Sequence, residues 1–324
     1  MRVTKDMIDP ELRLPGAIAA RVVGRSRSVD QLRRPGGALF ALLSKAPVRG
    51  LRKTEVSVPR PDGTDLRLLV VTPPVLRPDA PSVLWIHGGG YAQGSPDAEL
   101  IVMKSLVDLT GCVVVSPDYR LSGQAPYPAG LDDCYAALLW LRDNTVRLGG
   151  RSDQIIVAGA SAGGGLTAAL TLLARDRGEV RIAFQCPLYP MLDDRETESS
   201  RDNDAPVWDQ VTNRNAWTLY HAGLDGRSEV PAYAAPARAT DLVGLPPTIT
   251  FVGGIEAFRD ETIAYVEKLR AAGVPTEFRL VPGAWHAFDG FTPWTTPSRA
   301  AQRWYLGRFV EYVSRYTAPQ DRRE

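Results

Sequence analysis

The residues with the clearest chemical potential surround Ser161, in the stretch IVAGASAGGG at residues 156–165. A β-branched apolar run leads into the serine, and residues with almost no side chain follow it. The stretch matches G-x-S-x-G in a strand–turn–helix context, which exposes a serine hydroxyl on a strained turn. Flanking glycines suit this turn because they lack the Cβ atoms that would clash with the neighbouring strand and helix. The stretch therefore predicts a nucleophilic serine.

A dinucleotide-binding turn is the competing interpretation, because residues 163–168 also fit G-x-G-x-x-A. That fingerprint places its first glycine at the end of a strand and needs an acidic residue about 20 positions later, at the end of the next strand. Here the strand leads into Ser161, and the next predicted strand, Ile182–Phe184, ends in QCP. The spacing favours the nucleophile over a nucleotide site.

A nucleophilic serine needs a general base, and the chain has three histidines. His87 lies in a glycine loop, where we expect a structural role. His221 lies outside the regular β/α pattern, where we expect a partly exposed side chain. His286 follows the last predicted strand, which is where the chain order serine, acid, histidine places the base. We predict that His286 takes the proton from Ser161.

Two carboxylates compete for the third position of the triad. Glu256 directly follows the predicted strand Thr248–Val252, whereas Asp260 lies four residues later, at a predicted helix N-terminus where an acid is commonly a cap. We predict that Glu256 holds His286 in the right tautomer and stabilises its charged form. Asp260 is the alternative.

A second chemical signal is HGGGY at residues 87–91, directly after the predicted strand Val83–Ile86. Backbone N–H groups in such a loop can point at the negatively charged oxygen that forms when a serine attacks a carbonyl. A flexible turn is the alternative. The pairing of HGGG with G-x-S-x-G predicts an oxyanion-binding loop.

These residues require a fold that brings distant positions together. Two strand-like runs, Thr54–Pro59 and Leu66–Thr72, flank the turn signal PDG at 61–63 and predict a hairpin. Apolar runs then alternate with helical patterns, which predicts an α/β fold with a mostly parallel sheet and helices on both faces. The predicted strands are Val83–Ile86, Val113–Val115, Ile155–Val157, Ile182–Phe184, Thr248–Val252 and Phe278–Val281. The predicted helices are Leu131–Leu141, Leu166–Ala174, Glu261–Ala272 and Arg299–Val313.

Two segments lie outside the alternation: residues 1–48, and residues 191–240, which are rich in Asp, Asn and Trp. We assign both to a cap over the sheet, and residues 49–190 and 241–324 to the core. Five arginines of the first segment are expected to form a solvated helix face rather than an anion site. They are Arg21, Arg25, Arg27, Arg33 and Arg34.

The composition argues against several classes of partner. The chain has 324 residues, with 38 Lys and Arg against 37 Asp and Glu, so it lacks the basic footprint expected for nucleic acid or an anionic membrane. It shows no signal-peptide core and no run of about 18 apolar residues. Its three cysteines are far apart, so neither a disulfide framework nor a zinc site is predicted. We therefore expect a cytoplasmic protein.

Several motifs together resemble the hormone-sensitive-lipase-like branch of the α/β-hydrolases, the bacterial family IV esterases, over about residues 50–315. They are HGGGY at 87–91, SPDYRL at 116–121, PYPAGLDD at 126–133, GASAGGG at 159–165, PARATDLVGLPP at 236–247, EAFRDE at 256–261 and WHAFDGF at 285–291. The resemblance implies an α/β-hydrolase fold whose eight-stranded sheet has an antiparallel second strand, with a helical cap. It also implies hydrolysis of short- to medium-chain carboxylic esters without a cofactor.

The resemblance further assigns site residues and a partner. It places the oxyanion donors among the amides of Gly88, Gly89 and Gly90, with Gly89 and Gly90 the favoured pair, together with Ala162. Each well-aimed amide stabilises the transition state by about 3–4 kcal/mol. Members of the branch often pair through the last strand, so a homodimer is a further expectation.

Three stretches depart from the family's usual pattern. The family usually has DPxRDE where this chain has EAFRDE, so the acid is one methylene longer. The usual YRLAPE is YRLSGQ, which puts Gln124 in place of a carboxylate, and Ala160 replaces the usual acidic or threonine residue before the nucleophile. We expect these changes to alter pH dependence or acyl preference, not the reaction class.

Aromatic and apolar side chains are candidates for the walls of an acyl pocket. They are Tyr91, Trp208, Trp217, Tyr220 and Tyr233, with Phe40 and Leu42–Leu43 of the N-terminal segment. Packing of cap against core is the alternative for each. Amide, lactone or carbamate hydrolysis uses the same machinery, and no residue excludes it. A binding protein of this fold that has lost its base is disfavoured by His286.

Overall fold

The computed structural model describes residues 1–34, 44–45, 48–224 and 229–320, and within these ranges the chain forms one eight-stranded sheet flanked by α-helices. The strands are β1 Arg52–Pro59, β2 Asp65–Thr72, β3 Ala80–Ile86, β4 Val113–Pro117, β5 Gly150–Ala160, β6 Phe184–Leu188, β7 Thr248–Gly253 and β8 Thr276–Val281. The helices are α1 Pro10–Val23, α2 Val29–Arg33, α3 Leu100–Thr110, α4 Ala129–Asn144, α5 Ala162–Arg177, α6 Gln210–Tyr220, α7 Arg259–Ala271, α8 Phe288–Phe291 and α9 Thr296–Arg315. In this described part, no helix combines the length and apolarity needed to cross a membrane.

The strands follow the order β1-β2-β4-β3-β5-β6-β7-β8 across the sheet. β2 runs antiparallel to both of its neighbours, β1 and β4, and the remaining pairs are parallel. The predicted hairpin, the mostly parallel sheet and the antiparallel second strand are confirmed. Since parallel strands end at the same edge of a sheet, the loops after β3, β5, β7 and β8 meet there.

The central strands are buried along their length because helices cover both faces of the sheet. Every residue of β3, β4, β6 and β7 is buried, and so is every residue of α5 from Ala162 to Ala174. The first turn of α5 consists of alanine and glycine, which lets the helix lie close to the strands. The core of the molecule therefore lies directly beneath Ser161.

The sixth strand differs from its prediction. The pattern predicts Ile182–Phe184, whereas β6 spans Phe184–Leu188 and pairs in register with Ile156–Ala160 of β5. The sheet continues through Cys186 and Pro187, although proline cannot donate a ladder hydrogen bond. The apolar triplet thus marks only the start of the strand. All four predicted helices are confirmed, and the structure adds α3, which the sequence analysis did not identify.

The N-terminal segment and the 191–240 segment contact each other. Ser26 N donates to Asp209 Oδ2 at 2.6 Å, across 183 positions of chain, and Val3 N donates to Asp204 Oδ1 at 2.7 Å. The two segments outside the β/α alternation are therefore held together, although most of the core separates them in sequence. Phe40 and Leu42–Leu43, the N-terminal candidates for an acyl pocket, lie outside the described residues.

Arg27 departs from the predicted solvated arginine face, whereas the other four arginines are exposed. Its guanidinium lies 5.2 Å from the ring centroid of Trp208, and Nη1 donates to Gln93 Oε1 at 3.1 Å. Burial lowers the pKa of Arg27 to about 10, so it stays charged at neutral pH. The prediction is wrong for this residue because α1 ends at Val23, and Arg27 lies in the loop before α2 rather than on a helix face.

Candidate active site

Ser161 lies on a sharp turn between β5, which ends at Ala160, and α5, which begins at Ala162. Its φ of +58° falls in the left-handed region that non-glycine residues rarely adopt. Two backbone hydrogen bonds hold the turn: Ser161 N donates to Leu188 O, and Met191 N donates to Ser161 O, both at 3.0 Å. This is the strained strand-to-helix turn that exposes a serine hydroxyl.

Two glycines make room for the turn. A Cβ at Gly163 would lie 2.0 Å from Ile86 O, and a Cβ at Gly159 would lie 2.5 Å from Gly163 O. Both distances are far inside van der Waals contact, so a larger residue fits only if β3 or α5 moves. The strand and helix around the serine therefore approach each other through positions that have no side chain.

Ser161, His286 and Glu256 form a continuous chain of short contacts. Ser161 Oγ lies 2.8 Å from His286 Nε2, and His286 Nδ1 lies 2.9 Å from Glu256 Oε1. The second carboxylate oxygen, Oε2, accepts a hydrogen bond from Gly253 N at 2.9 Å. The three residues are buried, with exposed fractions of 7%, 3% and 0%. The structure thus brings together the serine, base and acid that the sequence predicts as a triad.

Neighbouring loops and rings position His286. Ile255 N donates to Ala284 O at 3.2 Å, which ties the loop after β7 to the loop after β8. The imidazole meets the rings of Phe258 and Tyr189 nearly edge-on, with centroids 4.9 and 5.2 Å apart. These contacts hold the imidazole between the acid and the serine.

Asp260, the alternative acid, makes its contacts elsewhere. Its Oδ2 accepts a hydrogen bond from Ser199 N at 2.6 Å, and its Oδ1 pairs with Arg259 Nε at 2.7 Å. Asp260 therefore links the start of α7 to the 191–240 segment. The carboxylate that contacts His286 is that of Glu256.

His87 supports the glycine loop from within. Its Nδ1 donates to Gly88 O at 2.8 Å, and its ring stacks on that of Tyr119 at a centroid distance of 4.2 Å. Burial lowers the pKa of His87 to about 4, so the ring is neutral near neutral pH. His221 lies in the 191–240 segment, partly buried, with Nδ1 4.0 Å from Asp194. Neither histidine lies within hydrogen-bonding distance of the serine hydroxyl.

Two amides of the glycine loop and one at the start of α5 are unengaged. Gly88 N donates to Glu99 Oε1 at 2.8 Å, so this amide already has an acceptor. The N–H groups of Gly89, Gly90 and Ala162 donate to no other group in the described ranges. Gly89 and Gly90 have φ values of +123° and +62°, which glycine adopts most readily. The favoured pair of oxyanion donors is thus available, and Gly88 is not.

Trp208 forms a wall beside the glycine loop. A Cβ at Gly90 would lie 2.2 Å from Trp208 Cη2, so the indole packs directly on that residue. The indole and the His286 ring have centroids 6.1 Å apart. Trp208 Nε1 donates to Asn213 Oδ1 at 3.1 Å, which fixes the ring from the 191–240 segment. Of the predicted pocket residues, Trp208 therefore contacts both the loop and the base.

Three of the other aromatic candidates, Tyr91, Trp217 and Tyr220, pack with one another, whereas Tyr233 OH donates to Asp176 Oδ2. Tyr91 and Tyr220 stack at a centroid distance of 4.0 Å, and Tyr91 and Trp217 are 5.4 Å apart. Tyr91 OH donates to Met191 O at 2.8 Å, and none of the three rings is more than 5% exposed. This cluster joins the glycine loop to the 191–240 segment, which is the packing role weighed as the alternative.

Known proteins share the fold of this chain. The alpha/beta hydrolase fold family matches residues 83–290, a stretch that includes the glycine loop, Ser161, Glu256 and His286. The chain therefore belongs to the α/β-hydrolase fold family. The resemblance to its hormone-sensitive-lipase-like branch is confirmed.

Named relatives narrow the class. Carboxylesterase NlhH of Mycobacterium tuberculosis is 39% identical over 232 residues, which is 70% of this chain and 72% of that protein. The arylesterase of Saccharolobus solfataricus is 31% identical over 292 residues, 87% of this chain and 92% of that protein. Among solved structures, bacterial heroin esterase has a TM-score of 0.85 at 33% identity, covering 96% of this chain and 99% of that chain. The chain is an ester-hydrolysing enzyme.

Proposed function

We propose that this enzyme is a serine carboxylesterase that hydrolyses short- to medium-chain esters through an acyl-enzyme at Ser161. One observation carries the proposal: Ser161 Oγ, His286 and Glu256 are linked by contacts of 2.8 and 2.9 Å, next to a loop with unengaged amides. A hydroxyl, an imidazole and a carboxylate in this order form the set that activates serine for acyl transfer.

Acylation begins at the serine hydroxyl. Ser161 Oγ bonds to the ester carbonyl carbon while its proton passes to His286 Nε2, and negative charge develops on the carbonyl oxygen. The amides of Gly89, Gly90 and Ala162 stabilise that charge, by about 3–4 kcal/mol for each well-aimed donor. The imidazolium then gives its proton to the leaving alcohol, and the acyl group stays on Oγ.

Deacylation repeats the same chemistry with water. His286 Nε2 takes a proton from a water molecule as its oxygen attacks the acyl carbon, and the same amides stabilise the second oxyanion. The proton then returns to Ser161 Oγ as the carboxylic acid leaves. No step needs a cofactor, because proton transfer and charge stabilisation both come from the chain.

Glu256 acts through the histidine. By accepting Nδ1–H, its Oε1 fixes the tautomer whose Nε2 lone pair faces Ser161, and it stabilises the imidazolium that forms in both steps. The hydrogen bond from Gly253 N to Oε2 fixes the other oxygen. The longer side chain is therefore held at both ends of its carboxylate, which supports glutamate as a working substitute for the usual aspartate.

The acyl preference is supported by the walls of the site. Trp208 packs against Gly90 and lies beside His286. The rings of Tyr91, Trp217 and Tyr220 pack against one another. A long chain would have to displace these packed rings. Rates measured on p-nitrophenyl esters from acetyl to decanoyl and longer should peak among the short and medium chains, and a peak beyond about twelve carbons would contradict the proposal.

Amide, lactone or carbamate hydrolysis is the alternative on the same machinery. An anilide measured beside the ester series separates the reactions, because the ester should be hydrolysed far faster. The non-catalytic binding protein weighed from the sequence does not fit a chain of the ester-hydrolysing class, and the imidazole 2.8 Å from a serine hydroxyl agrees with that class.

Replacement of Ser161 by alanine tests the mechanism itself. The variant should hydrolyse p-nitrophenyl butyrate at the background rate, and a fluorophosphonate probe should label Ser161 in the wild type and nothing in the variant. Thermal unfolding serves as the folding control. Turnover by the folded variant, or labelling at another side chain, would refute the acyl-enzyme.

We also propose that residues 1–48 and 191–240 form a cap over a core of 49–190 and 241–324. The contacts between Ser26 and Asp209 and between Val3 and Asp204 support this division.

We further propose a homodimer through β8, because β8 is an edge strand that pairs only with β7 in the described part of the chain. Light scattering at several concentrations would test it, and a monomer throughout would contradict it.

A further inference from the structure

Glu99 lies beside the glycine loop and has no part in the mechanism above. It ends a short 3₁₀ turn, Pro96–Glu99, and α3 follows directly. Glu99 Oε1 accepts a hydrogen bond from Gly88 N at 2.8 Å, and Oε2 accepts one from Trp85 Nε1 at 2.6 Å. Trp85 belongs to β3 and is 1% exposed, so it anchors the carboxylate to the sheet. Glu99 therefore ties the glycine loop to β3.

This tie lies next to the nucleophile. The empty side-chain position of Gly88 is 3.4 Å from Glu99 Oε1 and 3.3 Å from Ser161 Cβ. The carboxylate and the serine thus flank the same residue of the loop. The two residues that follow, Gly89 and Gly90, hold the proposed oxyanion donors and have little intrinsic preference for one conformation.

Hydrogen bonds fix the peptides on both sides of Gly88. Its N–H donates to Glu99, and its carbonyl accepts from His87 Nδ1 at 2.8 Å. In a trans peptide the carbonyl and the following N–H point in opposite directions, so fixing the Gly88 carbonyl also fixes the direction of the Gly89 N–H. Loss of the Glu99 contact would free the preceding peptide to rotate and would release the loop from β3.

We propose that Glu99 is a positioning residue for ester hydrolysis, whose carboxylate holds the glycine loop so that the amides of Gly89 and Gly90 face the carbonyl oxygen of the substrate. This inference rests on the proposed function of Ser161. Glu99 acts through the loop and transfers no proton to the substrate. Its two oxygens each accept one hydrogen bond, and an amide or a shorter acid cannot match both.

A role of the Glu99 carboxyl in proton transfer has to be distinguished by experiment from its role in holding the glycine loop. Burial raises the pKa of Glu99 to about 7 and the Asp289 carboxylate adds to the rise, whereas the hydrogen bonds from Gly88 and Trp85 oppose it. A carboxyl with such a pKa could act in proton transfer instead. The test therefore includes a neutral variant that keeps an acceptor and one that keeps none.

Glu99→Leu removes both acceptors at similar volume, and we expect kcat on p-nitrophenyl butyrate to fall about 10- to 100-fold while KM stays within about threefold. Binding of a trifluoromethyl ketone, which forms an oxyanion on the serine, should weaken by a similar factor. Asp97→Asn is the matched control, because Asp97 lies in the same turn and pairs with Arg67 at 2.8 Å instead of with the loop. This control should keep kcat within about twofold of the wild type.

Glu99→Gln provides a rescue measurement. Its single carbonyl can serve Gly88 only if its amide group faces the N–H of Trp85, so the variant alone should be intermediate in kcat. When Trp85→Phe removes that competing N–H, Glu99→Gln should lower kcat less than it does beside the native Trp85. A residue needed for proton transfer would show no such rescue.

The outcomes are separable. Wild-type kcat and inhibitor affinity in folded Glu99→Leu, or no rescue of Glu99→Gln by Trp85→Phe, would overturn the positioning role while leaving the triad intact. If Glu99→Leu does not fold, the comparison of Glu99→Gln with and without Trp85→Phe decides alone. Failure of the wild type to react with a fluorophosphonate at Ser161 would instead overturn the proposed function.

Discussion

Replacement of Glu256 by glutamine removes a charge from the triad without changing its shape. The carboxylate serves two donors, His286 Nδ1 and Gly253 N, each at 2.9 Å, whereas glutamine has one acceptor. If the glutamine oxygen stays with Gly253, its NH₂ group faces Nδ1 and selects the tautomer with the proton on Nε2, which cannot accept a proton from Ser161. If the oxygen stays with Nδ1, the buried N–H of Gly253 loses its acceptor.

The free energies of these two orientations determine how much activity Glu256→Gln loses. An unpaired buried donor costs about 1–3 kcal/mol, so the fraction of molecules whose His286 has the active tautomer falls to roughly 1 in 5 to 1 in 150. The imidazolium also loses its counter-charge in a site where Glu256 is 0% exposed. Together these effects should lower kcat/KM about 10³- to 10⁴-fold, which corresponds to about 4–5 kcal/mol.

The assay is hydrolysis of p-nitrophenyl butyrate at saturating and limiting substrate, with circular dichroism to verify the fold. Asp260→Asn is the matched control, because Asp260 contacts Ser199 and Arg259 and not the histidine. We expect the control to keep kcat/KM within about fivefold of the wild type. Activity of Glu256→Gln within tenfold of the wild type would refute the tautomer argument, and the reverse order of the two variants would move the acid to Asp260.

Two further substitutions test the packing and the buried charge around the site. Gly163→Ala places a Cβ 2.0 Å from Ile86 O and should destabilise the fold by more than about 3 kcal/mol, whereas Gly178→Ala, which meets nothing within 4 Å, should cost only about 1 kcal/mol in chemical denaturation. Equal losses would contradict the close approach of β3 and α5. Burial raises the pKa of Asp289 to about 6, so the folded state binds this proton more tightly than the unfolded state, and stability from this group is full below about pH 4 and is lost as the pH rises through 6. Asp289→Asn should therefore stabilise the fold relative to the wild type more at pH 8 than at pH 5, by about 1.4 kcal/mol in chemical denaturation, because about half of the pH-dependent loss has already occurred at pH 5. A stability difference independent of pH would count against this.

The fold and the close approach of Ser161, His286 and Glu256 could be predicted because both depend on where strands end. Ser161, Glu256 and His286 each follow a predicted strand of a parallel sheet, and parallel strands place such loops at one edge. The choice of Glu256 over Asp260 followed from its distance to the end of β7, and in the structure Glu256 is the acid that contacts His286. Strand position and chain order were sufficient for these residues.

Contacts made by side chains across the chain were beyond the reach of sequence patterns. The hydrogen bond from Gly88 N to Glu99 depends on a 3₁₀ turn that brings Glu99 back to the glycine loop. No hydrophobic periodicity in the sequence predicts that turn. The inward turn of Arg27 depends on where α1 ends, and the mutual packing of Tyr91 and Tyr220 depends on the path of the 191–240 segment. Local pattern identifies such residues as polar or aromatic and is silent about their partners.

The contacts of α1 with the loop after β8 bear on the order in which parts of the site assemble during synthesis. Asp9 N donates to Gly283 O at 3.0 Å, and Trp285 Nε1 donates to Leu12 O at 3.2 Å, so two hydrogen bonds anchor the start of α1 to the loop after β8. Leu12 and Trp285 are 273 positions apart, so this contact forms only after the chain between them has been synthesised. The same loop carries His286. In a growing chain Ser161 is synthesised 125 positions before His286, so the proposed nucleophile and its base come together only late in synthesis.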